Sequence, residues 1–503
     1  QKKGSRLVSD MRAEPGAKSG MAPYQWVGLA LGPALFILVL LSEPPSDLSV
    51  AAWRTVAVVA LMATWWATEA IPVPATSLLP IVLFPLLKVS SLSDATTPYA
   101  SPVIYLLLGG FIVAVALERW NLHKRIALNI LRRVGDHPSS IIFGFMVATA
   151  LLSMWVSNTA SSMMMVPIAL SVAAVVTAEH TSGHEAEDAR RFPLALLLGV
   201  AYSASIGGLG TLIGTPPNAL VAGYMLERYG MEITFAHWML FGVPVVICMI
   251  PLAWFVLTRF AFPVKLAPNP AAQRLVEAEL AALGPMTTVE KRVMIAFSAV
   301  AVAWMTRPLL QMIPGLGQLS DTVIAIGGAA MMFLIPAGRA VGRGQFLLDW
   351  PAAERIPWGV IILFGSGMSL AAQVSATGLA GWIGGQLEGL TSLHLLLLTG
   401  SIVTLVIFLT ELTSNTGTTA TILPILGALA DASAHSPMML AAPAALAASC
   451  AFMLPVATGP NAVVFARGYL RVPDMASAGF RLNLVGVVVI TGMSYLLLPF
   501  VFG

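Results

Sequence analysis

A helix that crosses a bilayer needs about 20 consecutive apolar residues, and this chain supplies such runs repeatedly. They fall near residues 24–42, 50–70, 72–90, 102–119, 194–227, 238–260, 289–306, 321–337, 356–386, 438–466 and 482–502. Without water to satisfy backbone N–H and C=O groups, such a chain can fold only as packed helices or a closed barrel. The length of the runs selects helices. Only 10% of the 503 residues are charged and 57% are hydrophobic, against about 25% charged in soluble domains. The chain therefore reads as an all-α polytopic membrane protein with about 11 transmembrane helices.

Two further apolar stretches, 139–177 and 394–430, carry the same polar triplet, as "SNTASSMMMVP" from Ser157 and "SNTGTTATILP" from Ser414. Each stretch is long enough for two short helices around a polar centre. Each reads as a re-entrant hairpin that enters the membrane and leaves by the same side. Charge placement tests this layout. With the N-terminus inside, the inner segments are 1–22, 119–138, 178–192, 259–292, 338–357 and 467–481, and they hold 23 of the 27 Lys and Arg. The outer side keeps Arg54, Lys88, Arg228 and Arg307. This positive-inside bias places the N-terminus in the cytosol and the C-terminus outside a plasma (bacterial inner) membrane. Residues 1–22 read as a disordered cytosolic tail, with no cleavable signal peptide evident.

The second half echoes the first. "LLLGGF" (106–111) precedes the first triplet and "LFGSGM" (363–368) the second, while "GTPPNALV" (214–221) follows the first and "ATGPNAVV" (457–464) the second. Helix 1 and a first repeat occupy 24–262, a cytosolic linker 263–290 and a second repeat 291–503. Five spans per repeat give the two copies opposite topology, the inverted-repeat logic of secondary transporters. In the linker, the spacing of Val276, Leu280 and Leu283 predicts a short amphipathic helix.

Polar breaks at membrane depth are tolerated only where they are buried in protein or line a cavity. Helix N-termini there favour anions, and carbonyl ends favour cations. No Arg or Lys lies in 140–177, 194–227, 394–430 or 438–466. An anion bound by these segments must be neutralised by helix dipoles and co-bound cations.

Other chemistries find little support. Cys248 and Cys450 lie in apolar runs and read as small buried hydrophobes. The glycine-rich stretch 207–214 lacks the lysine of a phosphate loop. The two histidines in 179–188 read as part of a solvated loop. Glu69 and Glu411 read as hydrogen-bonding carboxylates near segment ends, with Glu411 also able to order the second hairpin tip. A membrane-embedded enzyme needs a nucleophile–base pair or a metal cluster. Of the seven histidines only His394 touches a triplet-bearing stretch, at its edge. The chain reads as a non-enzyme without cofactors.

The pieces "ATEAIPVPATSLLP" (67–80), "SMWVSNTASSMMMVPIAL" (153–170), "IGGLGTLIGTPPNAL" (206–220), "TELTSNTGTTATILP" (410–424) and "SCAFMLPVATGPNAVVF" (449–465) resemble the divalent anion/sodium symporters, in their bacterial dicarboxylate branch. The resemblance implies a homodimer working as an elevator, with helices 1–4 and 7–9 as scaffold and the hairpins with helices 5, 6, 10 and 11 as transport domain. It implies one Na⁺ among Ser153, Ser157, Asn158 and Gly214, and a second among Thr410, Thr413, Asn415 and Ala457. It implies substrate carboxylates on Asn158, Thr159, Thr215, Asn415, Thr416 and Thr458. Na⁺ is hard and takes oxygen ligands, and Asn offers both a donor and an acceptor. Where many members read Thr-Pro-Pro-Asn, this chain reads Thr458-Gly459-Pro460-Asn461, which puts Gly459 beside the substrate. The expected function is Na⁺-coupled transport of C4-dicarboxylates such as succinate, malate or fumarate. Cation-independent exchange, and citrate, 2-oxoglutarate or sulfate as substrate, remain open at this point.

Overall fold

The computed structural model describes residues 21–178, 184–338, 342, 344–391, 393–433 and 435–502. The expected tail over 1–22 lies outside these except for its last two positions, and residues 179–183 of the histidine-bearing loop lie outside as well. Secondary structure among the described residues is helical, apart from one isolated antiparallel bridge between Pro336 and Phe346.

Sixteen helices organise the molecule: α1 (Pro23–Leu41), α2 (Val50–Thr68), α3 (Pro102–Arg119), α4 (Pro138–Ser153), α5 (Asn158–Thr177), α6 (His184–Gly208), α7 (Pro216–Tyr229), α8 (Phe235–Phe255), α9 (Thr288–Leu310), α10 (Asp321–Leu334), α11 (Trp358–Ala376), α12 (Leu395–Thr410), α13 (Asn415–Ala432), α14 (Pro437–Ala448), α15 (Gly459–Phe465) and α16 (Val472–Phe502). Shorter helices join them, including Leu122–Leu131 and Pro270–Ala282. The second of these is the linker helix read from Val276, Leu280 and Leu283. Val276 is buried, and both leucines pack against the core.

Among the described residues nine helices are long and apolar enough to cross a membrane, and five apolar helices are shorter, at 10–17 residues. The short ones are Val73–Leu86, Pro138–Ser153, Asp321–Leu334, Leu395–Thr410 and Pro437–Ala448. The sequence runs and the helices differ where the backbone breaks. The run 194–227 is two helices, α6 and α7, separated at 209–215, and 438–466 is α14 and α15, separated at 449–458. The run 356–386 ends as a long helix at Ala376, and a separate helix covers Leu379–Gln386. Helix α16 begins at Val472 and is 31 residues long, so it takes in part of the segment read as the inner loop 467–481. At 1.5 Å per residue it exceeds the hydrocarbon thickness, and its polar first turns lie outside the apolar run.

The packing is reciprocal between the halves. α4 and α5 both pack on α6, and α12 and α13 both pack on α14. The short helix that follows each break then crosses to the opposite half. α7 packs on α13 and α14, and α15 packs on α5 and α6. Elsewhere α1 lies against α2, and α3 against α10. Close approach needs small residues. A Cβ on Gly109 of α3 would fall 2.5 Å from the backbone of Ala325 in α10.

Candidate functional site

Both triplets sit at helix starts. Ser157 is the N-cap of α5, accepting from Ala160 N at 3.2 Å. Ser414 is the N-cap of α13, accepting from Gly417 N at 3.5 Å. The triplets are therefore capped, with Asn158 and Asn415 as first helical residues and Thr159 and Thr416 as second. Thr215 and Thr458 take the equivalent N-cap positions of α7 and α15. Four helix N-termini thus meet at one place.

That place is a cavity of about 980 Å³. Its lining includes Ser157, Asn158, Thr159, Gly214, Thr215, Thr413, Asn415, Thr416, Ala457, Thr458 and Gly459. Of the residues named from the sequence, Ser153 and Thr410 do not line it. Both are fully buried behind it and hold the two asparagines.

Ser153 Oγ lies 2.6 Å from Asn158 Oδ1 and 2.7 Å from Ala204 O. In the other half Thr410 Oγ1 lies 2.8 Å from Asn415 Oδ1 and 2.9 Å from Ala448 O. A hydroxyl has one proton to donate, so each cluster of three oxygens is a proton short. Near Asn158 the same amide position is also 3.2 Å from Gly214 O. Two arrangements resolve this. Either the Asn158 amide turns its nitrogen inward, its two protons shared among Ser153 Oγ, Gly214 O and Ala204 O, or a cation that prefers oxygen ligands sits in the cluster. The donor set suits a hard cation such as Na⁺. Gly214 must be glycine here, since a Cβ would lie 2.5 Å from Gly208 O. Thr413 is one step removed, donating to Leu409 O at 3.0 Å and lying 2.5 Å from Thr418 Oγ1.

The breaks are held by side chains to which sequence reading assigned no role. Asn218 Nδ2 donates to Gly208 O at 3.0 Å and Thr211 O at 2.7 Å. Asn461 Nδ2 donates to Ala451 O at 3.1 Å and Leu454 O at 2.9 Å. Each asparagine reaches ten and seven residues back along its own chain. The repeated P-N-A element contained this signal. The two halves then differ. Thr211 Oγ1 bonds Met154 O at 2.5 Å and accepts from Gly214 N at 3.0 Å. In the second half Glu411 does the ordering: its buried carboxylate accepts from Phe452 N, Met453 N and Leu454 N at 2.7–3.1 Å and from Asn483 Nδ2 at 2.8 Å. This is the hydrogen-bonding role read for Glu411, with the second break as its target.

The lining also includes Tyr24, Glu69 and Arg355, all exposed, and the half-buried Glu118, which mark the mouth of the cavity. Arg355 is the lone Lys or Arg among the lining residues, and no ion pair holds it within the described residues. The broken segments carry no Lys or Arg, but dipoles and ions are not alone in balancing an anion once Arg355 joins the lining. Arg355 enters from a separate loop just before α11.

Residues 24–501 match the family described as sodium:sulfate symporter transmembrane region. The chain is 44% identical over 480 residues to a sodium-dependent dicarboxylate transporter, SdcS, of Staphylococcus saprophyticus, covering 95% of this chain and 92% of the relative. It is equally similar, over 483 residues and with the same coverage, to the SdcS of Staphylococcus aureus. Among solved structures it resembles Neisseria gonorrhoeae MtrF (TM-score 0.57, 13% identity, 93% and 96% of the two chains) and the Alcanivorax borkumensis YdaH transporter (0.56, 15%, 95% and 97%). At that identity these two speak for the fold alone. By a match over nearly its whole length, the chain is a multi-pass membrane protein that belongs to the sodium:sulfate symporter family.

Proposed function

We propose that the protein is a secondary active transporter that carries C4-dicarboxylates such as succinate, malate or fumarate together with Na⁺. The observation that carries this reading is the paired arrangement of Asn158 and Asn415. Each sits at a helix N-terminus on the cavity, and each is backed by a hydroxyl and a backbone carbonyl.

The chemistry follows from that geometry. A helix N-terminus presents roughly half a positive charge, so the starts of α5, α7 and α13, with the shorter α15, offset most of a dianion's charge. The outward edges of Asn158 and Asn415 and the hydroxyls of Thr159, Thr416, Thr215 and Thr458 face the carboxylates. The inward oxygens, with Ser153, Ala204 and Gly214 on one side and Thr410 and Ala448 on the other, suit Na⁺. One amide thus touches both cargoes, which couples them. Ser157, Thr413, Ala457 and Gly459 complete the two tips around these groups.

The mouth residues Tyr24, Glu69, Glu118 and Arg355 all come from segment ends on the side of the N-terminus in the charge-based layout. That favours a cavity opening to the cytosol, with the N-terminus inside and the C-terminus outside a plasma membrane. Reciprocal packing of the halves supports two inverted repeats with re-entrant hairpins. An elevator movement of these elements against a dimeric scaffold is the transport cycle we assign. The test is uptake by proteoliposomes of succinate, malate, fumarate, citrate, 2-oxoglutarate and sulfate, with and without an inward Na⁺ gradient. Gradient-driven accumulation of the C4-dicarboxylates supports the reading. Equal uptake without Na⁺, or preference for sulfate or citrate, overturns it.

A further inference from the structure

Ser205 lies on α6 directly after Ala204, whose carbonyl meets Ser153. It is 1% exposed, lines the cavity, and its Oγ has no hydrogen-bond partner among the described residues. A buried hydroxyl without a partner is uncommon and calls for a reason.

The second half supplies a comparison. Ala448 receives Thr410 as Ala204 receives Ser153, so Ser449 is the counterpart of Ser205. Ser449 Oγ is occupied: it lies 3.1 Å from Thr215 Oγ1 across the two halves. The reciprocal partner of Ser205 would be Thr458. Thr458 Oγ1 instead accepts from Asn461 N at 3.2 Å as an N-cap. The pseudo-symmetry is broken at this pair as well, which leaves Ser205 Oγ without a partner among the described residues.

We infer that Ser205 Oγ donates to a carboxylate oxygen of the transported dianion, as a substrate-binding residue on the first half. An unpaired O–H needs an acceptor. A cation would take the lone pair and leave the proton unserved, so the anion is the ligand that satisfies it. The asymmetry gives the two carboxylates of the substrate different surroundings: Ser205 donates from one half, while Ser449 is tied to Thr215 in the other.

This rests on the dicarboxylate reading above, and the experiment separates the two. Binding of succinate to purified protein at saturating Na⁺ is measured for wild type and Ser205→Ala, with thermal unfolding of both in the absence of succinate. The variant is expected to bind roughly tenfold or more weakly, the range for a hydrogen bond to a charged group. Its unfolding temperature without succinate should be unchanged or higher, because no protein bond is lost. Ser205→Cys, a weaker donor, should fall between the two. Equal affinity in wild type and Ser205→Ala overturns the inference, as does an effect confined to the Na⁺ concentration needed. A fall in unliganded stability with affinity unchanged assigns Ser205 to the fold. A wild type that binds no succinate in Na⁺ overturns the transport reading itself, and this inference with it.

Discussion

Thr159 of the first triplet lies directly over Gly459 of the second break: a Cβ at Gly459 would overlap Thr159 Oγ1 and fall 3.2 Å from Thr159 Cβ. The glycine that departs from Thr-Pro-Pro-Asn is therefore matched to the opposite half. It makes room for a hydroxyl from the other half. Gly459→Pro or Gly459→Ala should push Thr159 out of its place, with a cost typical of overpacking, about 1–3 kcal/mol. That cost should appear as weaker succinate binding and altered preference among dicarboxylates. Adding Thr159→Ala should recover part of the loss, since it removes the overlapping atom. A double-mutant cycle on succinate affinity reads this directly, and additive effects of the two changes would contradict the contact.

Glu411 organises the second break through its bonds to Phe452, Met453, Leu454 and Asn483. Glu411→Gln turns an amide toward backbone N–H groups that need an acceptor. The expected loss is roughly 1.5–3 kcal/mol, the worth of hydrogen bonds to a charged group. Thermal unfolding should move down and uptake should fall with it. A variant with unchanged stability would remove Glu411 from this role.

Arg355, which pairs with no acid among the described residues, brings a cation to the mouth of the cavity. Arg355→Gln should raise the KM for succinate by about three- to tenfold at low ionic strength, with the difference shrinking as salt screens it. Arg355→Lys should stay close to wild type. A salt-independent effect would point to lost packing instead of lost charge.

The inverted layout is tested by labelling. Cys450 is buried as its apolar run suggests, but Cys248 is exposed on α8; with Cys248 replaced by Ser, Glu187→Cys and Ser433→Cys should react with an impermeant thiol reagent from opposite sides. Glu187 is expected on the cytosolic side and Ser433 outside. Reaction from one side for both would overturn the inverted repeat.

Much of this arrangement is legible in the chain because it depends on contrast. A polar triplet within apolar surroundings marks a break, and its recurrence with P-N-A elements marks a repeat. What escaped reading depends on local geometry or on distance in the chain. Ser157 and Ser414 cap helices, a role their position before Asn and Thr allowed but did not require. The T-x-P-N-A elements mark 194–227 and 438–466 as interrupted helices, but apolar periodicity is silent about how far each interruption extends, 209–215 and 449–458. Arg355 reaches the cavity from a loop far from either triplet, and the Thr159–Gly459 contact joins residues in opposite halves. Only the folded chain brings these together.

The central claim is that Asn158 and Asn415 bind substrate and Na⁺ jointly. Equilibrium coupling is reciprocal, so each cargo must raise the other's affinity by the same factor. The most direct measurement is succinate binding to the purified protein in Na⁺ and with choline replacing Na⁺ at constant ionic strength, for wild type, Asn158→Ala and Asn415→Ala. The account predicts that wild-type affinity drops when Na⁺ is removed. It also predicts that each alanine variant binds weakly in both media, with most of the Na⁺ dependence gone. Identical wild-type affinity in Na⁺ and choline would contradict it and leave a cation-independent carrier on the same fold.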